Sequence, residues 1–467
     1  MQHPDQRSLH APSVWLHDGW RNDVTLRWNE AGMLTAVEPD SVPMAGIARA
    51  PGPLLPGMPN LHSHAFQRAL AGLTETLGDP ADSFWSWRTL MYRFAARLTP
   101  AQMQAIARYL YIEMLKAGYT SVCEFHYLHH AIDGKPYANP GEHAVRVIEA
   151  ARSAGIGLTL LPVLYQYSGF GSRAPLDEQR RFLSSVDALL HMSMRLREQY
   201  APDAALRYGA APHSLRAVSP ASLDALREGL HGDDSQAPLH IHIAEQTREV
   251  DDCRTTFGVP PVHWLLDHQP VDSRWCLVHA THMQAAEAQR LARSGAVVGL
   301  CPTTEANLGD GIFDAPTYLD AGGRWGIGSD SHASVSARAE LRWFEYGQRL
   351  VTRRRNVLAT AARPAVADRL YGDALDGGML ASGRPIGRLT VGRRADFIVL
   401  DAAHPDIAEC GALQRLSAYV FAEHGQTPIR DVWVGGRRVV AERHHADEEA
   451  AALDYRRALT ALTAEPA

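Results

Sequence analysis

Cysteine is scarce and scattered in this chain. Cys123, Cys253, Cys276, Cys301 and Cys410 form an odd set in which no close pair repeats, which argues against a disulfide framework and against a thiolate zinc site. Reduced thiols in a cytoplasmic protein are the expected state. Long apolar runs are also missing, so nothing reads as a bilayer span, and residues 1–7 lack the apolar core of a signal peptide. There is no excess of positive charge either. A net charge of −6 gives no reason to expect nucleic acid or an anionic membrane as partner. What remains is an ordinary globular composition, 46% hydrophobic and 21% charged over 467 residues, long enough for a barrel and a smaller unit. The one oddity is 23 histidines, and their placement is what carries information.

The first informative placement is Pro59-Asn60-Leu61-His62-Ser63-His64, behind the apolar run 54–58. Two histidines one residue apart on a strand share a face about 7 Å along it, so they can grip one metal ion. Alone, such a pair is ordinarily structural, and the question is whether later segments supply the missing ligands. After an aromatic-rich insertion (67–99, with Phe84-Trp85-Ser86-Trp87-Arg88) read as a loop able to roof a pocket, helix and strand alternate. Helices are expected at 100–117 (capped by Thr99), 141–153, 177–198 and 220–230. Strands are expected at 120–125, 157–164, 206–213, 239–245, 275–279, 296–301 and 325–330. With the strand at His62 that makes eight short apolar strands, the pattern of a parallel (β/α)8 TIM barrel in the α/β class. Ionisable residues gather at the C-terminal ends of strands one, two, four, five, six and eight, where this architecture puts its chemistry. Short strands over 14–37, and others at 395–401 and around the Gly435-Gly436 turn, are expected to form a small β-sandwich from both chain ends. The domains then read as 1–52 and 381–467 (sandwich, with a C-terminal helix over 446–463) around a barrel at 53–380.

The strand ends offer His62, His64, His242, His279 and Asp330. Zinc in a hydrolytic site takes three or four N/O ligands and leaves a position for water. His62, His64, His242 and Asp330 make such a set, with His279 a further ligand or a group beside it. Glu245, three residues after His242, is placed for general acid–base work on a metal-activated water, or else for a loop ion pair with Arg248. His240 reads as a packed or supporting histidine.

The sequence from Pro56 to His64, His242-Ile243-Ala244-Glu245, His279 and Ser329-Asp330 together resemble the amidohydrolase superfamily, in its single-metal deaminase branch. The likeness runs over almost the whole chain, including the Gly-x-Leu and Gly-x-x-Ala-Asp pattern of 387–396. Two-metal members carry a lysine at the end of the fourth strand. Here that position reads Ala211-Pro212-His213-Ser214, so the resemblance implies one divalent metal ion, zinc by preference. Within the branch, residues 60–68, 123–127 and 212–216 look like the members that deiminate N-formimidoyl-L-glutamate to N-formyl-L-glutamate and ammonia in histidine breakdown. That likeness implies a small acidic substrate contacted by Gln67, Arg88, Tyr127, His213 and Arg216, the arginines suiting its carboxylates. It also implies a homodimer.

A metal in such a site lowers the pKa of bound water to roughly 7. Glu245 and Asp330 are then expected to take the proton as hydroxide attacks the formimidoyl carbon, with His279 stabilising the tetrahedral intermediate. Two other readings stand beside this one. A deaminase or chlorohydrolase of a nucleobase or other aromatic heterocycle shares the metal frame, and Trp85 and Trp87 suit it. A barrel that has lost catalysis and serves for binding would normally lack a ligand, and here none is missing.

Overall fold

The computed structural model describes residues 7–76, 84–200, 203–423 and 425–464. Residues 1–6, part of the stretch read for a leader, and 77–83 of the insertion lie outside them. Eight parallel barrel strands follow one another: Met58–Ser63, Tyr119–His126, Gly157–Leu164, the split pair Leu206–Tyr208 and Ala211–Pro212, Leu239–Ile243, Trp275–His279, Val297–Leu300 and Arg324–Ile327. They form two arcs joined by the bridges Ala210–Leu239 and Ser63–Asp330. Most are buried along their whole length, which is why the sequence shows continuous apolar runs instead of alternation. The fourth strand is interrupted at Gly209, where a Cβ would lie 2.4 Å from the Pro238 carbonyl. Both halves pair with the third strand, and the Ala210–Leu239 bridge joins the fourth strand to the fifth at this point.

A nine-stranded sheet gathers both chain ends. The N-terminal strands Ser8–Leu16, Gly19–Trp28 and Leu34–Glu38 form an antiparallel meander. From the other end come Phe397–Leu400 and the hairpin Ile429–Val434 with Arg437–Ala441, turning at Gly435 and Gly436 with φ of 55° and 72°, as a two-residue hairpin turn requires. Phe397 and Trp433 stack, with Trp28 edge-on to Trp433, in a core separate from that of the barrel. Leu54–Pro56, assigned above to the barrel side of position 53, belongs to this sheet. It pairs with Ser8–Leu16 on one side and Phe397–Leu400 on the other, so the chain enters the barrel at Gly57. The C-terminal helix Glu448–Thr463 lies on helix Pro100–Lys116, tied by Arg108–Asp447 at 3.0 Å and Lys116–Glu448 at 2.9 Å. Among the described residues no helix is long and apolar enough to cross a membrane.

Two expected elements differ. The aromatic insertion is not a loop: it holds a 3-10 turn at Ala65–Leu70 and an α-helix at Phe84–Arg97. Phe84, Trp87, Arg88, Met91 and Tyr92 recur at helical spacing and turn one face to the barrel mouth. The helix expected at 177–198 is a short 3-10 turn, Asp177–Gln179, and then a helix at Val186–Tyr200. Ser185 Oγ caps that helix by accepting from the Ala188 N–H at 3.2 Å, while residues 179–182 are drawn inward. Thr99 behaves as expected. It forms a capping box with Gln102 at the start of Pro100–Lys116, and this satisfies backbone donors that the first turn leaves open.

Candidate metal centre and active site

The ends of strands one, five and eight aim four donor groups at one point. His62, His64 and His242 bring their Nε2 atoms to 3.1, 3.4 and 3.0 Å of one another. Asp330 Oδ1 lies 3.3 Å from both His62 Nε2 and His64 Nε2. All four residues are buried and together form a metal-competent cluster. Donors spaced this way surround a point about 2 Å from each, the Zn–N distance. The protonation pattern agrees. Burial pushes His62 down to about 3 and His64 and His242 below the usual histidine range, so the rings are neutral with lone pairs to give. His64 Nδ1 faces the Phe125 carbonyl at 3.0 Å and His242 Nδ1 the His213 carbonyl at 3.2 Å. Each ring therefore donates there and keeps Nε2 for the centre. At Asp330 burial pushes upward, but the surrounding imidazoles of His62, His64 and His279 outweigh it and hold the carboxyl below the usual range. The donor set thus fits a divalent cation.

Backbone shape helps aim these groups. Ala244, His279 and Asp330 have φ of 51°, 68° and 47°, left-handed turns that bend each strand end sharply and are costly for residues with a Cβ. Gly328 lets the eighth strand approach the first: a Cβ there would lie 2.7 Å from His62 Cβ.

A continuous hydrogen-bond chain locks the metal-bearing strands together. Asn60 Nδ2 donates to Ser329 Oγ at 2.6 Å, Ser329 Oγ to His332 Nδ1 at 2.9 Å, His332 Nε2 to Ser63 Oγ at 3.1 Å, and Ser63 Oγ to Glu124 Oε2 at 2.5 Å. That order gives every hydroxyl one donor and one acceptor role, and it fixes the His332 tautomer. Tyr111 and the Ala65 N–H complete the shell of Glu124, whose carboxyl burial raises to about 7. His332 is thereby a strut between the first and eighth strands. His240 is packed, donating to the Ala381 carbonyl at 2.7 Å.

Above the cluster, a cavity brings together His64, Gln67, Arg88, Tyr127, His213, Arg216, His242, Glu245, His279 and Asp330, so every site residue named from the sequence except the more deeply set His62 lines one space. Glu245 lies 3.7 Å from His279 Nε2 and 3.9 Å from Arg216. Arg248, the alternative partner, pairs with Asp252 instead. Burial raises Glu245 to about 7, against the pull of His279 and Arg216. His279 Nδ1 meets Glu305 Oε1 at 3.2 Å. Burial alone would lower this ring, but Glu245, Glu305 and Asp330 outweigh it and raise it to about 10. Gln67 donates to the Tyr127 hydroxyl at 2.7 Å, and Arg88 lies over the Trp85 and Tyr92 rings at 4.5 and 5.5 Å. Gln67 Oε1, Arg216 Nε and His279 Nε2 are buried without a hydrogen-bond partner among the described residues. Buried polar atoms of this kind normally have one, and here they edge the same cavity.

The sequence reading missed Glu305, Tyr92, Tyr165, Phe182, Glu124 and the strut role of His332. Glu305 had a usable signal, a carboxylate just past a barrel strand. Tyr92 had helical spacing with Phe84 and Arg88; Tyr165 and Phe182, in the turns after the third strand, had none.

An eight-stranded parallel barrel with an appended sheet, and with a His-x-His pair, a further histidine and an aspartate at its strand ends, has the architecture of a metal-dependent hydrolase. Residues 54–439 match the amidohydrolase family, and the chain belongs to it. A formimidoylglutamate deiminase of Pseudomonas aeruginosa is 52% identical over 450 residues, covering 96% of this chain and 98% of that protein. Among solved structures, an amidohydrolase from Brucella melitensis has a TM-score of 0.91 at 45% identity, over 98% of this chain and 100% of that one. An adenosine deaminase from Xanthomonas campestris with bound zinc shares the fold at a TM-score of 0.80 and 22% identity, over 97% and 98%. Members of the family bind divalent metal, and the His/Asp cluster is a donor set of that kind.

Proposed function

We propose that the protein hydrolyses N-formimidoyl-L-glutamate to N-formyl-L-glutamate and ammonia, using one divalent ion, zinc by preference, held by His62, His64, His242 and Asp330. The observation that carries this reading is a single cavity floored by the metal donors and walled by the Arg88 and Arg216 guanidiniums. A substrate with a cationic amidine-like end and two carboxylates matches that polarity, and the 52% identical deiminase supports the match. When bound, the ion activates water and polarises the reacting centre.

The chain's own groups divide the remaining work. Arg88 and Arg216 bind the carboxylate end, with Gln67, Tyr127 and His213 giving hydrogen bonds that fix its orientation. At the other end Glu245, ionised above its pKa of about 7, accepts a proton from the attacking water. His279, ordered through Nδ1 by Glu305, presents Nε2 to the charge that develops on the tetrahedral centre. Glu245 then returns the proton to the departing nitrogen, the C–N bond breaks, and ammonia leaves. Asp330 and Glu245 also favour the cationic formimidoyl group before attack.

The test measures ammonia released from N-formimidoyl-L-glutamate, N-formimidoyl-L-aspartate and a set of purines and pyrimidines. Turnover of a heterocycle and not of the acyclic substrate would overturn the assignment. Glu245→Gln should lose turnover by at least about 100-fold with metal content unchanged. A homodimer in the cytoplasm also belongs to this proposal and is checked by light scattering and cell fractionation.

A further inference from the structure

The turn after the third strand carries no metal donor, yet it holds the cavity wall together. Gln179 is fully buried, and its Nε2 donates to the Tyr92 hydroxyl at 3.1 Å and the Tyr165 hydroxyl at 2.8 Å. Tyr92 belongs to helix Phe84–Arg97 and Tyr165 follows the third strand, so one amide joins the aromatic helix to the barrel. The Phe182 ring lies 5.0 Å from Tyr127 and 5.9 Å from both Tyr92 and Tyr165.

Arg181 ties the far end of the helix. It is 1% exposed, and all its partners are neutral. Nη1 donates to the Ala95 carbonyl, Nη2 to the Leu98 carbonyl at 2.8 Å and to His143 Nε2 at 3.2 Å, and Nε to the His130 carbonyl at 2.9 Å. A buried guanidinium without a carboxylate needs another source of negative potential. The C-terminal end of Phe84–Arg97 supplies it, because its last carbonyls lack intrahelical donors and carry the negative end of the helix dipole. Arg88, a few turns earlier, rests on the Tyr92 ring whose hydroxyl Gln179 holds.

We infer that the 179–182 turn is a buckle that sets where the aromatic helix stands over the cavity, and that Gln179 and Arg181 are positioning residues for recognition of the substrate's carboxylate end. The inference rests on the function proposed above. The buckle touches neither the metal donors nor Glu245 or His279, so its loss should be felt in binding and not in the chemical step.

Metal-loaded wild type, Gln179→Leu, Tyr92→Phe and Arg181→Lys are compared by hydrogen-exchange mass spectrometry and by kinetics on N-formimidoyl-L-glutamate. Gln179→Leu should raise KM about tenfold, the equivalent of the hydrogen bonds lost, with kcat within about twofold. Tyr92→Phe, which removes only the hydroxyl and is the variant sure to fold, should act in the same direction by less. In both, peptides covering 84–97 should lose exchange protection while the barrel strands keep theirs. Arg181→Lys, which keeps the charge but not the fork, should free the end of the helix near Ala95. Unchanged protection over 84–97 in all three variants, or kcat falling while KM holds, overturns the inference. If wild type releases no ammonia from this substrate, the proposed function fails, and the exchange comparison alone then decides the buckle.

Discussion

Arg216→Met separates two roles proposed for one side chain. Methionine keeps much of the stem and removes the guanidinium. The first expected effect is on binding. A charge-assisted hydrogen bond contributes about 1.5–3 kcal/mol, so KM for N-formimidoyl-L-glutamate should rise about tenfold to about 150-fold. The second effect is on Glu245, whose carboxylate lies 3.9 Å from Arg216. At that distance the attraction is about 1 kcal/mol if water screens it fully and about 4 kcal/mol at an effective dielectric of about 20. Its loss therefore lets Glu245 bind a proton at a pH higher by about one to about three units.

Glu245 must be ionised to accept a proton, and its pKa is already raised to about 7 by burial. Removing Arg216 takes away a group that opposes that rise. The acidic limb of the profile of kcat/KM against pH should therefore move up, never down. Ammonia release measured from about pH 5 to about pH 11 covers the limb in both proteins. Arg216→Lys is the control: the charge remains, so the limb stays near that of wild type, while KM still rises because bidentate geometry is lost. A limb that does not move in Arg216→Met, or one that moves down, would refute the placement of Arg216 beside the general base. An unchanged KM would refute its part in binding the carboxylate.

Other perturbations give separate checks. Chelation, or Asp330→Asn, should remove the ion and lower Tm by roughly 5 °C or more, with zinc restoring Tm only in the chelated wild type; elemental analysis follows the metal. Glu305→Gln should lower kcat by about tenfold to about 100-fold with metal content intact, because His279 loses the carboxylate that orders it and holds its proton. Stability should fall on acidification: His129 and His143 are pushed by burial to about 4 and about 3 in the fold, below the unfolded value of about 6.5. Between those limits the unfolded chain binds more protons, so the contribution is complete above about pH 6.5 and lost as pH falls towards 3–4. Denaturant midpoints between pH 8 and pH 5 read this, and His143→Gln should flatten the trend.

The convergence of His62, His64, His242 and Asp330 was legible because each sits at or just past the end of a short apolar strand, and a strand's period of two leaves few places for its side chains to point. His62 and His64 had to share a face. His242 and Asp330 had to arrive at the same rim once the strands were counted to eight. The terminal sheet was legible through its turns, with Gly435-Gly436 marking the hairpin. Its border was less so, because Leu54–Pro56 and Met58–Ser63 are both continuous apolar runs separated by one glycine, and composition does not say which sheet each will join.

Much of what escaped lies at strands three and seven, whose ends looked chemically silent. Each acts through residues set back from the strand in the following turn, where no fixed period connects position to direction. Glu305 reaches His279 from the helix Pro302–Leu308, and Gln179 reaches Tyr92 from a 3-10 turn inside what read as a long helix. The aromatic helix failed differently: its helical spacing was present, but Trp-Ser-Trp-Arg drew attention as a cluster, and a cluster has no direction. Once Phe84, Trp87, Arg88, Met91 and Tyr92 are placed on one face, Arg88 must point into the cavity. The two arginines proposed to hold the carboxylate end are then of different kinds. Arg216 comes from the loop after the fourth barrel strand and lies 3.9 Å from Glu245, the proposed general base. Arg88 comes from a helix held at a distance by Gln179 and Arg181, so it can be moved without disturbing the chemistry, and a change in which acid the site accepts should arise there before it arises at Arg216.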